Sequence, residues 1–168
     1  MKTLNKDTKQ LEIVYEQYAN QLFRTAYSLL FNNHDAQDVV SDVFVKYMTC
    51  EQKFNDEDHE KAWLIRVTIN MCRDLHRKNK HRNHDNIEDY QEILGLDNEK
   101  DKELVRELMY EIETLPTKIR EVIVLHYFEG FQVEEISGML GLSLSAVKMR
   151  LKRGRDILKQ QMKENEDE

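Results

Sequence analysis

Apolar residues recur along this chain at steps of three and four, the spacing of helices with one buried face. Leu11, Val14, Tyr15, Tyr18, Leu22, Ala26, Leu29 and Leu30 trace a first long helix. The polar break FNNHD follows, with Asn and Asp available for a turn and a helix cap. Ala36, Val39, Val40, Val43, Phe44, Tyr47 and Met48 trace a second helix. Beyond the acidic loop EQKFNDEDHE, a third carries Leu64, Val67, Thr68, Met71, Cys72 and Leu75 inward. Leu104, Leu108, Ile112 and Leu115 open a second helical group. Pro116 suits the start of the next helix, where a missing amide costs nothing. That helix carries Ile119, Val122, Ile123, Leu125, His126 and Tyr127, and Gly130 ends it. His126 sits among apolar neighbours, so a structural role is expected for it.

The stretch from Gln132 to Lys159 reads as two short helices joined by a tight turn. Val133, Ile136, Met139 and Leu140 form the inner face of the first. Gly141 breaks it, Leu142 turns inward, and Ser143 supplies an N-cap hydroxyl. Leu144, Val147, Leu151 and Leu158 share one face of the second helix. The remainder is basic: Lys148, Arg150, Lys152, Arg153, Arg155 and Lys159, against the single acid Asp156. That layout suits a helix-turn-helix whose second helix enters a DNA major groove.

Charge sharpens the picture. The net charge of −7 hides its distribution. Arg66 to Arg82 holds six basic residues (Arg66, Arg73, Arg77, Lys78, Lys80, Arg82) and one acid, a balance of +5. Asn83 to Glu113 holds eleven acids and three bases, a balance of −8. Two basic patches thus flank an acidic segment, and phosphate contacts need only the patches. Five Gly and one Pro argue for helices over a turn-rich β protein. The expected architecture is all-α, with two small helical domains and a helix-turn-helix in the second. The boundaries expected are a frayed start at 1–10, domains at 11–82 and 104–162, an acidic linker at 83–103 and an acidic tail at 163–168. A short helical turn is allowed for within the linker, from Ile87 to Leu94.

Candidate chemistry is sparse. Asp35, Asp38 and Asp42 share one side of the second helix. That side reads as a docking surface for a basic partner, a metal site with His34, or an ordinary solvated face. Cys50 and Cys72 give no disulfide framework. Cys72 and His76, with His81 and His84 beyond, have possible ligand spacing, but Cys72 lies on the apolar stripe, so no metal is expected. No P-loop or GxGxxG occurs, and the clustered carboxylates have no convergent His or Lys, so neither catalysis nor a cofactor is expected. The opening MKTLNKDTKQ has no apolar core of a signal peptide, and no run approaches the ~20 apolar residues of a membrane span. A cytoplasmic protein without membrane insertion is expected.

Two motifs then carry a resemblance. DAQDVVSDVFVKYM looks like the segment DAEDLVQEVFLRAW, and KAWLIRVTIN looks like TWLYRIAxN, through Trp63, Leu64, Arg66 and Asn70. LPTKIREVIVLHYFEGFQVEEISGMLGLSLSAVKMRLKRGRDIL follows LPxxxREVxxLRYFEGLSYEEIAEILGIxxGTVKSRLxRARxxL without a gap. With both in order, the chain resembles the extracytoplasmic-function (group 4) class of bacterial sigma factors in the sigma-70 family, over nearly its whole length. A plain helix-turn-helix regulator is the alternative, but it would need neither a basic helix after an acidic one nor the WLxRxxxN pattern.

The resemblance implies a promoter-specificity subunit of RNA polymerase, released or captured by an anti-sigma factor. Asp35, Asp38, Asp42 and Phe44 would dock on the clamp helices of the polymerase's largest subunit; the flap of the second-largest subunit is a further implied partner. Phe54, Asn55, Trp63, Arg66, Asn70, Arg73, Arg77 and Lys78 would engage the minus-ten element, with Trp63 either core or strand-facing. Ser145, Lys148, Met149, Arg150, Arg153 and Arg155 would read the minus-thirty-five element. The chain departs from the pattern at several positions. Ser145 replaces Thr, Met149 a small polar residue, and Ser137 and Gly154 each an Ala. Glu60 and Lys61 stand where aromatic or small residues are common, and Gln132 is a poor N-cap. Gly154 weakens its helix by about 1 kcal/mol relative to Ala.

Overall fold

The computed structural model describes residues 4–78 and 87–168. Lys80, Arg82, His81 and His84, singled out above, lie outside the described residues. The chain divides into two units, one up to Gly95 and one from Leu96. Among the described residues all regular structure is helical.

In the first unit, α1 (Thr8–Leu30), α2 (Asn33–Thr49) and α3 (Glu57–Lys78) pack against one another. The core is the apolar stripe of each helix: Leu22 and Ala26 from α1, Val43 and Tyr47 from α2, Leu64 and Ile65 from α3. The break between α1 and α2 is tight because Phe31 takes a left-handed φ of 54°. Its amide closes onto the Tyr27 carbonyl. The Asn32 side chain then accepts the Asp35 amide at 2.9 Å, capping α2 with a side chain suited to that task.

The start of the chain differs from the expected frayed segment. Helix α1 begins at Thr8, capped by Asp7, which accepts the Gln10 amide at 2.7 Å. Before it, the Asn5 amide donates to the Met48 carbonyl at 2.8 Å. The expected linker is also shorter. A helix α4 (Glu88–Ile93) stands within it and packs on α1, with the Tyr90 ring 4.9 Å from that of Tyr27. Tyr90 and Gln91 are buried. Helix α4 falls within the helical turn allowed for from Ile87 to Leu94, and one aromatic anchor seats it.

The second unit is built from α5 (Glu99–Thr114), α6 (Thr117–Ile123), a π-helical turn (Val124–Phe128), α7 (Val133–Leu140) and α8 (Leu144–Glu166). Its core gathers Met109, Ile112, Leu115, Val122, Leu125, Ile136, Val147 and Leu151. Helix α5 takes the end of the expected linker, and α8 runs through most of the expected tail, to Glu166. Leu104 and Leu108 depart from the core expected of them, being 55% and 45% exposed. Leu144 is likewise 44% exposed at the start of α8.

Gly154 has a packing reason. A Cβ there would lie 2.6–2.7 Å from the outer side-chain atoms of Ile123 and 3.0 Å from Ile119. The lost helix propensity is therefore exchanged for close approach of α6 to α8. Gly154→Leu should destabilise the protein by about 1–3 kcal/mol through overpacking. Gly154→Ala should stay near neutral, since propensity and crowding oppose each other. Thermal unfolding followed by far-UV circular dichroism tests both; a Leu variant that melts like the parent would refute the close contact.

Candidate nucleic-acid interface

Helix α8 is positioned by the turn before it. Gly141 adopts φ 65°, a left-handed cap that glycine takes without Cβ strain. The Ser143 hydroxyl accepts the Ala146 amide at 3.1 Å, as expected of an N-cap. The Ser137 hydroxyl donates to the Leu142 carbonyl at 2.5 Å, so this departure from Ala ties α7 to the turn. Gln132 is helped by Glu135, whose carboxylate accepts the Gln132 amide at 3.4 Å. Val147, Leu151 and Gly154 are buried, which turns the other side of α8 outward. Ser145, Lys148, Met149, Arg153 and Arg155 are all exposed there, and Arg150 is half-buried. Arg155 donates to the Tyr127 hydroxyl at 3.2 Å, which holds its guanidinium beside the π-helical turn. His126 faces inward, its Nδ1 2.8 Å from the Phe131 carbonyl oxygen, a structural contact.

On α3 the polar face is equally regular. Arg66, Asn70, Arg73 and Arg77 follow one another at four, three and four residues, so they form one ridge. Arg66, Asn70, Arg77 and Lys78 are exposed and Arg73 is half-buried. Arg77 pairs with Asp74 on the same helix, an exposed contact that adds little to stability.

The loop between α2 and α3 contains a built aromatic group. Phe54 is half-buried, its ring parallel to that of Tyr47 at 6.1 Å and edge-on to Trp63 at 5.5 Å. His59 closes a further side at 5.5 Å, and its Nδ1 accepts the Asn55 amide at 3.2 Å. Asn55 itself is exposed. Trp63 is buried, with its ring packed against that of Phe54. The Tyr47 hydroxyl donates to Glu60 at 2.9 Å and accepts from Gln10 at 3.3 Å. Burial, then the hydrogen bond and charge of Glu60, push the Tyr47 phenol well above its ordinary range, so it stays a neutral donor. Glu60, a departure from the pattern, thus has a partner. Beside Phe54 opens a cavity of about 520 Å³, lined by Lys6, Gln10, Cys50, Gln52 and Glu60 among others. Its size is within the range of small-ligand sites, about 300–1,000 Å³.

The acidic face of α2 divides. Asp38 and Asp42 are exposed, one turn apart. Asp35 is buried in the first turn, where a carboxylate suits the helix N-terminus. Phe44 is buried with its ring 4.9 Å from that of Tyr15, and with Tyr15 and Val45 it lines an apolar groove. His34 Nδ1 lies 3.3 Å from an Asp38 carboxylate oxygen, and ligand atoms of His34, Asp35 and Asp38 lie within 4.8 Å of one another. Exposed acidic groups are common without any ion.

Lys6 and Gln10 at the aromatic loop were not discernible in the sequence. Both belong to a polar start with no periodicity, and only the fold brings them beside residues more than 35 positions away.

Residues 14–82 match sigma-70 region 2, and residues 106–158 match sigma-70 region 4. The chain is 31% identical over 158 residues to the ECF RNA polymerase sigma factor SigE of Mycolicibacterium smegmatis, covering 90% of this chain and 61% of that relative's length. It is 28% identical over 160 residues to the ECF RNA polymerase sigma factor SigW of Bacillus subtilis, covering 88% of this chain and 86% of the relative. Among solved structures it is similar to CnrH in complex with the cytosolic domain of CnrY, at a TM-score of 0.69 and 27% identity, over 94% of this chain and 90% of that one.

Proposed function

The chain belongs to the extracytoplasmic-function sigma factors of the sigma-70 family, and on that premise we propose a division of labour among its exposed ridges. It binds core RNA polymerase, recognises the minus-ten and minus-thirty-five promoter elements and initiates transcription of a signal-dependent regulon. Asp38 and Asp42 on α2 meet basic side chains of the largest subunit's clamp helices, with Asp35 setting the helix end behind them. The α3 ridge holds the backbone of the opened strand, and Phe54 with its cavity receives an unstacked base. Unstacking costs a few kcal/mol, offset by stacking and phosphate contacts. On α8, Lys148, Met149 and Arg153 face base edges, while Ser145, Arg150 and Arg155 contact phosphates. An apolar groove between α5 and α8, lined by Leu104, Leu108, Leu158 and Met162, is available to the flap of the second-largest subunit. The protein acts in the cytoplasm without catalysing a reaction itself. Among the described residues no helix is long and apolar enough to cross a membrane. An anti-sigma factor holds the protein until a signal releases it, as the cytosolic domain of CnrY is bound to CnrH in the similar structure.

The observation that carries this reading is that one chain presents regions 2 and 4 on separate helical units, each with an exposed basic ridge. Purified protein added to core polymerase should start run-off transcripts at defined positions on a promoter library. DNA binding without initiation would instead mark a plain regulator. Arg153→Ala should lower output from minus-thirty-five-dependent promoters about fivefold to 150-fold, the equivalent of about 1–3 kcal/mol, while polymerase binding stays intact. Equal loss of both in a pull-down would contradict the assignment.

A further inference from the structure

The cavity beside Phe54 takes part of its wall from residues that precede the region 2 match, which begins at residue 14. The Lys6 ammonium donates to the Cys50 carbonyl at 3.2 Å, the Cys50 Sγ at 3.1 Å and the Gln52 carbonyl at 3.3 Å. It also lies 4.8 Å from the centre of the Tyr47 ring and 5.5 Å from that of Phe54. One residue earlier, the Asn5 side chain donates to the Thr49 carbonyl at 2.9 Å. Together residues 5 and 6 lace the start of the chain across the carboxyl end of α2.

We infer that Lys6 is a positioning residue for minus-ten recognition, fixing the 50–54 turn and the Phe54 ring so that the cavity stands open before a base enters. The inference rests on the reading of this loop as the minus-ten site. An ammonium group has three donors, and here three protein acceptors take them, so Lys6 is committed to the loop rather than to a base. Its charge sits just past the end of α2, where unpaired carbonyls and the helix dipole favour a cation. Its contact with two aromatic faces adds a cation–π attraction that holds Phe54 parallel to Tyr47. Within the turn itself the ties are short-range: Gln52 to the Lys53 carbonyl, and the Asn55 amide to His59. Lys6 therefore supplies a long-range anchor, and a loop ordered in advance loses less entropy when it captures the base.

The test is promoter opening by the full chain in complex with core polymerase, on a promoter taken from the run-off library, with 2-aminopurine in the minus-ten element. Holoenzyme is kept saturating, so that misfolded protein does not enter the readout. Phe54→Ala should lower opening about tenfold, the scale of one lost base stack. Lys6→Met should lower it about fivefold, with affinity for core polymerase and output from a pre-melted template unchanged. Lys6→Arg, which keeps the charge and the donors, should restore opening to within about twofold of the parent. The double variant should open no worse than Phe54→Ala alone, since Lys6 acts through that ring. If Phe54→Ala opens normally, the loop reading fails and the inference falls with it. Where Phe54→Ala is defective but Lys6→Met is not, the loop reading stands and the inference is overturned. Additive losses in the double variant, or a Lys6→Met defect that persists on the pre-melted template, also overturn it.

Discussion

Asp38→Lys combined with Asp42→Lys should abolish polymerase binding and, with it, transcription from every promoter the protein serves. Both carboxylates are exposed on one side of α2, one turn apart. Beneath them Val39, Val40 and Val43 are buried and untouched by the change. The cost to folding is small. The two introduced ammonium groups and the natural Lys46 repel at four-residue spacing by a few tenths of a kcal/mol per pair, and the His34 contact that is lost, at 3.3 Å, is an exposed one. The cost to binding is large. Each reversal replaces attraction by like-charge repulsion at a contact from which water is excluded, worth several kcal/mol per juxtaposition. A fall in affinity of about a thousandfold or more is expected, read by fluorescence anisotropy against core polymerase. The melting temperature should move by only a few degrees. Compensating acidic substitutions in the clamp helices should restore binding. An affinity within threefold of the parent would show that α2 presents an ordinary solvated face, and would move polymerase docking elsewhere.

Periodicity carries part of this fold and not the rest. The helices with long apolar stripes were legible because each stripe needs a partner, and three of them close a core. The helix-turn-helix was legible for a sharper reason: Gly141 and Ser143 each have one conformational use at their positions, and both serve it. Helix α4 was legible as a short helical turn but not as a packed element, since its burial depends on one ring, Tyr90, finding Tyr27 some sixty residues earlier. Phe44 and Trp63 were legible as aromatic residues on the right helices, but composition does not say which way a ring points. Leu104 and Leu108 erred in the opposite direction. They keep the heptad-like spacing of a core helix, yet their face of α5 opens on a groove. Lys6 marks the limit of such reading: one of three lysines in a polar run becomes a strap only when a helix end is carried to it.

Arg120 is the residue whose loss should cost the second unit most. It is buried on α6, and its guanidinium reaches back to the carboxyl end of α5. There Nε donates to the Ile112 carbonyl at 3.1 Å, and Nη2 donates to those of Glu113 at 2.6 Å and Leu115 at 2.9 Å. These carbonyls cluster where α5 ends and the chain turns into α6, and a planar fork can serve several at once. Burial lowers the Arg120 pKa from its ordinary value, and the charges of Glu113 and Glu121 oppose that shift. Arg120→Met keeps the stem and removes three donated hydrogen bonds from the α5–α6 corner. The expected loss is about 3 kcal/mol or more, since each charge-assisted bond is worth roughly 1.5–3 kcal/mol. Arg120→Lys should recover less than half of it, because an ammonium cannot span the three acceptors in the guanidinium's geometry. The chain offers its own control. Its single Trp, Trp63, lies in the first unit and reports that unit alone. In urea, the circular dichroism of Arg120→Met should therefore acquire an early phase while the Trp63 fluorescence midpoint stays where it was. Coincident transitions at the parental midpoint would mean that the guanidinium does not hold the α5–α6 corner. Because that corner sets the platform on which α7 and α8 stand, the same variant should lose minus-thirty-five-dependent output without any change to a residue facing DNA.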